Sequence, residues 1–205
     1  SLLNTVLPIL PLQILFLNLV TDVFPALALG VGEGDPAVMK EPPRRSDESI
    51  VTGRLWGLIV GYGALMTVSV LTALTLAGGW LTLPERQAVT VSFLALALSQ
   101  LWHVFNMRNR HSGILYNDVT RNRYVWAALA LCLVLLAAAV FFPPLGTVLK
   151  LRNPGWQGWA LAFAASLFPL IVGQLGMLLL PAKKKGARAD SDGGPEARAR
   201  PAETG

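Results

Sequence analysis

The sequence predicts an all-α membrane protein, a bundle of about five transmembrane helices. Of its 205 residues, 53% are hydrophobic and 14% are charged, and the mean hydropathy is +0.52. The apolar residues occur in runs of about 20, the number of helical residues that crosses a hydrocarbon layer about 30 Å thick. The basic residues lie between and after these runs rather than on one basic face. The composition therefore excludes an ordinary soluble domain, and we expect a lipid bilayer rather than a nucleic acid as partner.

Five stretches of the chain are long and apolar enough to span a bilayer. We place the spans at residues 11–29, 56–76, 88–105, 124–142 and 158–180. The third predicted span is the least apolar, because it contains Ser92, Ser99, Gln100 and His103. Together the five stretches form one predicted membrane domain, residues 11–180.

The two ends of the chain lie outside this domain. We expect residues 1–10 to be an external lead-in, and the start without Met suggests the C-terminal end of a longer protein. Residues 181–205 are rich in Lys, Arg, Ala, Gly and Asp without apolar periodicity, which predicts a disordered basic tail.

The basic residues also predict an orientation. Fourteen of the 17 lie in the loop after the first span, in the loop after the third span, or in the tail. The other three are Arg86, Lys150 and Arg152. Cytoplasmic loops are enriched in Lys and Arg, so we expect an odd number of spans and a cytoplasmic C-terminus. The absence of targeting signals and the composition rich in Ala, Leu and Gly favour a bacterial inner membrane.

Tryptophan and cysteine positions agree with this arrangement. Five of the six tryptophans lie at predicted span ends, where amphipathic rings prefer the interface: Trp56, Trp80, Trp126, Trp156 and Trp159. The one cysteine, Cys132, lies inside the fourth span and allows no internal disulfide. We expect it to be a small core residue rather than a reactive thiol.

Asp22 is the one carboxylate of twelve that lies inside an apolar stretch. A charge at bilayer depth is costly and usually serves an ion or proton path. Asn18 and Thr21 precede it at helical spacing, so the three side chains share a face and offer hard oxygen ligands. Pro25 lacks an N–H and disturbs the same turn, which predicts locally opened backbone with exposed carbonyl oxygens. The alternative is a buried aspartate bonded to a neighbouring helix, with a routine proline kink.

Two further features bear on helix packing and on the site. Gly57 and Gly61, extended by Gly63, give the second span a small face that would let another helix approach closely. Glycine is also generally common in membrane helices.

His103 lies three residues after Gln100, on the same helix face. It is either a proton-coupled ligand or an interfacial histidine.

The residues around Asp22 resemble a known family. The matching residues are Asn18-Leu-Val-Thr-Asp-x-x-Pro-Ala, then Ala-Leu-Gly30, Asp35, Met39-Lys40 and Pro42-Pro43-Arg44. Together they are similar to the sixth membrane helix and the following loop of type II P-type ATPases. Calcium pumps of the sarco/endoplasmic reticulum kind and their bacterial relatives are the best likeness. The specific match covers residues 11–45, and the four later spans resemble the family's helices seven to ten in pattern.

This resemblance implies roles for four residues. In the family, an Asn and an Asp of the sixth helix ligate the transported ion, and a Thr contributes to a second ion site. The Asn and Asp correspond to Asn18 and Asp22, and the Thr corresponds to Thr21. Gln100 falls where two-site calcium pumps carry a Glu. This departure puts a second site in doubt, and one-ion calcium pumps of the plasma-membrane kind carry a Gln there. The metal-binding residues implied are therefore Asn18, Thr21, Asp22 and Gln100.

The resemblance also implies partners that the chain lacks. No Asp-Lys-Thr-Gly phosphorylation motif, Thr-Gly-Glu, P-loop or Pro-Glu-Gly-Leu sequence occurs in it, and no catalytic or cofactor-binding residues are assigned. We expect the chain not to hydrolyse ATP alone. Upstream helices would complete the set of ion ligands. A cytoplasmic phosphorylation domain using ATP and Mg²⁺ would drive transport, and Arg44 and Arg45 would dock against that domain.

The expected function is thus the C-terminal membrane portion of an ATP-driven cation pump, with Ca²⁺ as the first choice of ion. Manganese, sodium with potassium, or protons remain possible, because ligand type discriminates poorly among them. Two other classes also stay open. One is a secondary transporter in which Asp22 titrates a coupling proton, and the other is a non-transporting membrane scaffold subunit.

Overall fold

The chain folds into helices that follow its apolar runs. A computed structural model describes residues 9–31, 53–107 and 118–179, and these residues contain no strand. Helix α1 (Pro11–Leu17) continues through a π-helical turn (Asn18–Val23) into α2 (Phe24–Gly30). Helix α3 (Gly53–Gly79) precedes α4 (Glu85–His103), which ends in a 3₁₀ turn (Val104–Met107). The remaining helices are α5 (Asp118–Arg121), α6 (Arg123–Phe141), α7 (Pro143–Val148) and α8 (Gly155–Leu179).

Five helical segments within the described residues are long and apolar enough to cross a membrane. They are the first to fifth spans: Pro11–Gly30, Leu55–Gly79, Glu85–Asn106, Arg123–Phe141 and Gly155–Gly176. The predicted fold class, an all-α bundle of five such helices, is confirmed. The predicted disordered tail, most of the external lead-in and the basic loops with Arg44 and Arg45 lie outside the described residues.

The third span is the centre of the bundle. Helix α4 packs against α3, α6, α8 and the π-helical turn, and it is buried almost continuously from Ala88 to Leu101. The hydroxyls that lower its hydropathy donate to carbonyls of their own helix, as Ser99 Oγ does to Ala95 O at 2.7 Å. A helix that faces protein on most sides needs less hydropathy than one that faces lipid, because its polar groups find partners.

Polar contacts tie the second, third and fifth spans together. Ser69 Oγ donates to Ala165 O at 2.6 Å, and Trp102 Nε1 donates to Ser166 Oγ at 3.1 Å. Buried side-chain bonds of this kind fix the register of helices that have no hydrophobic drive to associate in lipid.

The first span is held at both ends by amide side chains. Gln13 is fully buried; its Nε2 donates to Leu149 O at 2.9 Å and its Oε1 accepts from Leu10 N at 3.0 Å. At the other end Asn122 caps α6 by accepting from Tyr124 N, and its Nδ2 donates to Ala28 O at 2.8 Å. The second bond satisfies a carbonyl that the end of α2 would otherwise leave without a donor.

Candidate cation site

Asp22 lies in a π-helical turn of the first span. Pro25 has no N–H, and in a π-helical register its missing donor would have served the carbonyl of Val20. The thiol of Cys132 on α6 replaces that donor, with Sγ 3.0 Å from Val20 O. The disturbance that Pro25 predicts therefore takes the form of a wider, continuous turn. Such π-helical insertions occur frequently at functional sites.

A cavity of about 950 Å³ opens between the first, second, third and fifth spans. Thr21 and Asp22 face it from the first span and Gln100 from the third. Most of the remaining wall is apolar or glycine. The cavity therefore gathers three of the four predicted ligand residues in one place.

Thr21 connects the polar groups of this wall. Its side chain is 5% exposed, and its Oγ1 lies 2.9 Å from Leu17 O and 2.8 Å from Gln100 Oε1. The same oxygen lies 3.4 Å from Asp22 Oδ1. One hydroxyl thus links the carboxylate of the first span with the amide of the third.

Asn18 and Asp22 are both exposed in the described part of the chain, but only Asp22 lines the cavity. Asn18 begins the π-helical turn, and Thr21 and Asp22 follow within it. The structure therefore brings Thr21, Asp22 and Gln100 together and leaves Asn18 outside their cavity.

The small face of the second span lines the same cavity. A Cβ added at Gly57, Gly61 or Gly63 would meet no atom within 4 Å. Within the described residues, these glycines therefore pack against no helix. The close contact with another helix that their small size permits is not formed there.

The lining of the same cavity includes further polar side chains that sequence reasoning largely missed. The rings of His103 and Tyr62 pack edge-on, with 4.6 Å between their centroids. Gln174 Nε2 donates a hydrogen bond to Asn106 Oδ1 at 2.7 Å. Among the described residues, His103 Nδ1 and Asn106 Nδ2 are buried and find no hydrogen-bond partner. The three-residue spacing of Gln100, His103 and Asn106 was a signal that could have revealed this stripe.

The described residues contain no group of three or more His, Cys, Asp or Glu side chains that could hold a metal ion. One carboxylate, one hydroxyl and one amide supply fewer oxygens than the six to eight or so that Ca²⁺ takes. The donor set is chemically suited to a hard cation, but it forms only part of a coordination shell.

Five described helices of membrane-spanning length and apolar composition define the class of integral membrane domains. The chain is an integral membrane protein of this class. It belongs to the family described as "Cation transporting ATPase, C-terminus", whose model matches residues 6–179.

Several curated relatives resemble the chain over most of its length. Calcium-transporting ATPase 1 of Bacillus cereus is 32% identical over 182 residues, which cover 82% of this chain and 20% of that protein. The calcium-transporting ATPase of Bacillus subtilis is 33% identical over 173 residues, covering 82% of this chain and 19% of that protein. An endoplasmic reticulum-type calcium-transporting ATPase 3 of Arabidopsis thaliana is 26% identical over 189 residues. The chain thus spans about a fifth of the length of these relatives.

Proposed function

We propose that this chain forms the C-terminal membrane portion of an ATP-driven pump that transports Ca²⁺. The observation that carries the proposal is the position of Asp22, which faces a cavity together with Thr21 and Gln100. A carboxylate and neutral oxygens around a space between helices are the ligands that a hard cation requires. Family membership and the printed names of the bacterial relatives support the pump and Ca²⁺ over the secondary transporter and the scaffold.

The rest of the coordination shell would come from membrane helices of the longer protein. In this proposal Asn18 contributes once such a helix covers the exposed side of the first span. The unpacked glycine face of the second span leaves room for that helix. A cytoplasmic domain phosphorylated by ATP would then change which side of the membrane the site faces.

The membrane environment is part of the same proposal. Large apolar side chains are exposed along the spans, as Leu15, Val60 and Val134 illustrate, and lipid tails would cover them. The distribution of Lys and Arg supports a cytoplasmic C-terminus. The Bacillus relatives favour a bacterial source, and the membrane proposed is the bacterial inner (plasma) membrane.

The variant Asp22→Asn tests this function in the full-length pump. It keeps the shape of the side chain and removes the charge, so we expect the apparent Ca²⁺ affinity for phosphorylation by ATP to fall about tenfold or more, which corresponds to about 1.4 kcal/mol. The measurement is steady-state phosphorylation against free Ca²⁺ concentration. Unchanged size-exclusion and thermal-unfolding profiles in detergent serve as the folding control. Wild-type Ca²⁺ dependence in this variant would contradict the assignment.

A further inference from the structure

Three basic residues depart from the charge distribution of the rest of the chain. Arg86, Lys150 and Arg152 are the three of 17 lysines and arginines that lie outside the loops and the tail assigned to the cytoplasm. All three side chains are exposed. Topology alone disfavours basic residues on this side, so another cause for them is to be sought in their surroundings. We call these three residues the basic cluster.

A buried hydroxyl joins the backbones of two members of the cluster. Thr90 is fully buried, and its Oγ1 donates to Arg86 O at 2.8 Å and accepts from Arg152 N at 3.0 Å. Gln87 Nε2 also donates to Asn153 O at 3.1 Å. These bonds hold the loop after α7 against the first turns of α4, so residues far apart in the sequence lie at one place on the surface.

The same loop turns its basic side chains outward. Leu149 and Leu151 are buried, whereas Lys150 and Arg152 are exposed, so alternate residues anchor the loop in the core. Lys150 has a φ of 54°, in the left-handed region that favours glycine. A lysine at this position costs backbone strain that a glycine would avoid. Local backbone preference therefore does not account for the lysine.

Exposed apolar side chains accompany the cluster at this end of the bundle. Phe142 precedes α7, Val148 ends it and Trp156 lies at the start of α8, and all three are exposed. Basic groups beside exposed aromatic and aliphatic side chains are typical of a surface at the level of lipid headgroups. Glu85 is exposed next to Arg86, and the cluster still keeps an excess of positive charge.

We propose that Arg86, Lys150 and Arg152 form a docking surface for the headgroup phosphate of an anionic phospholipid. Arginine and lysine donate charge-assisted hydrogen bonds to phosphate oxygens, and the lipid charge offsets the repulsion among the three basic groups. The neighbouring apolar side chains contact the acyl chains of the same lipid. The inference rests on the proposed membrane environment, but it needs neither ATP nor a transported ion.

Local quenching by lipids tests the proposal in the full-length protein with every native cysteine replaced by serine. Val148→Cys, labelled with bimane, places a fluorophore beside the cluster. The protein is reconstituted into vesicles of phosphatidylcholine mixed with phosphatidylglycerol, and one of the two lipids carries brominated chains that quench bimane. The ratio of the two quenching efficiencies measures the enrichment of phosphatidylglycerol at the cluster.

We expect phosphatidylglycerol to be enriched about tenfold or more, since each basic residue near anionic lipid contributes a factor of about five. The pair Lys150→Gln with Arg152→Gln should lower the ratio to about one. Lys150→Gly should lower it about fivefold. This variant should unfold at no lower a temperature than wild type, because glycine adopts the left-handed conformation without strain.

The matched control is the pair Arg121→Gln with Arg123→Gln. It also removes two exposed positive charges, but at the start of α6, whereas the cluster lies beyond the end of that helix. We expect the control pair to keep the enrichment of wild type.

Four results would overturn the inference. Equal quenching by both lipids in wild type would show no preference, and quenching by neither would place the cluster outside the bilayer. An equal loss in the control pair would indicate a general effect of charge. Loss of enrichment on adding inorganic phosphate at constant ionic strength would indicate a site for free anions rather than for a lipid. None of these readouts uses Ca²⁺ or ATP, so each leaves the proposed pump function unaffected.

Discussion

Gly173 brings the fifth span into contact with the second and third spans. A Cβ at this position would lie 2.5 Å from Tyr62 Oη and 2.6 Å from Asn106 Nδ2. No real Cβ tolerates such distances, so an added side chain would force the ends of the Tyr62 and Asn106 side chains to shift. Tyr62, Asn106 and Gly173 all line the cavity that Asp22 faces.

The variant Gly173→Ala should therefore destabilise the domain. Overpacking a tight contact costs about 1–3 kcal/mol, because the ends of the Tyr62 and Asn106 side chains must move away from the added methyl group. The matched control is Gly176→Ala on the same helix, where a Cβ would meet nothing within 4 Å. Thermal unfolding in detergent measures both; equal melting temperatures for the two alanine variants would contradict the packing described for Gly173.

The first and fourth spans are coupled at the level of whole helices. Asn122 of the α6 N-terminus bonds to the end of α2, and Cys132 in the middle of α6 bonds to the π-helical turn. Pro25 removes a donor from one helix, and Cys132 on another helix supplies one. The shape of the turn that carries Asp22 therefore depends on the neighbouring span as well as on its own sequence.

Replacing Cys132 by alanine should leave Val20 O without its side-chain donor. We expect a loss of stability of about 0.5–1.5 kcal/mol, the usual net value of a hydrogen bond, whereas Cys132→Ser keeps a donor and should lose less. Near-UV circular dichroism during thermal unfolding measures the difference. If both variants unfold at the same temperature, the thiol contributes packing alone.

At the scale of the whole molecule, the exposed tryptophans report the arrangement of the spans. Trp80 is 77% exposed after the second span, and Trp156 is 78% exposed at the start of the fifth. Trp126 is 52% exposed near the start of the fourth span. If every span crosses the membrane, Trp80 and Trp156 share one side and Trp126 lies towards the other.

Single cysteines test this topology in the full-length protein with Cys132 and every other native cysteine replaced by serine. We expect Trp80→Cys and Trp156→Cys to react with a membrane-impermeant maleimide from outside the cell. Trp126→Cys should react only in inside-out vesicles, because the basic loop before it is expected to be cytoplasmic. Labelling of all three from one side would contradict five crossings.

The amino-acid sequence by itself determined the all-α class and the number of spans, because hydropathy and helix length follow from local composition. It also identified Asp22, since a carboxylate stands out inside an apolar run. Only the tertiary structure placed the third span at the centre and joined Thr21 to Gln100 across 79 positions of the chain. It also left Asn18 outside the cavity and paired Cys132 with Val20, because contacts between helices depend on helix rotation and register, which periodicity along one helix does not specify.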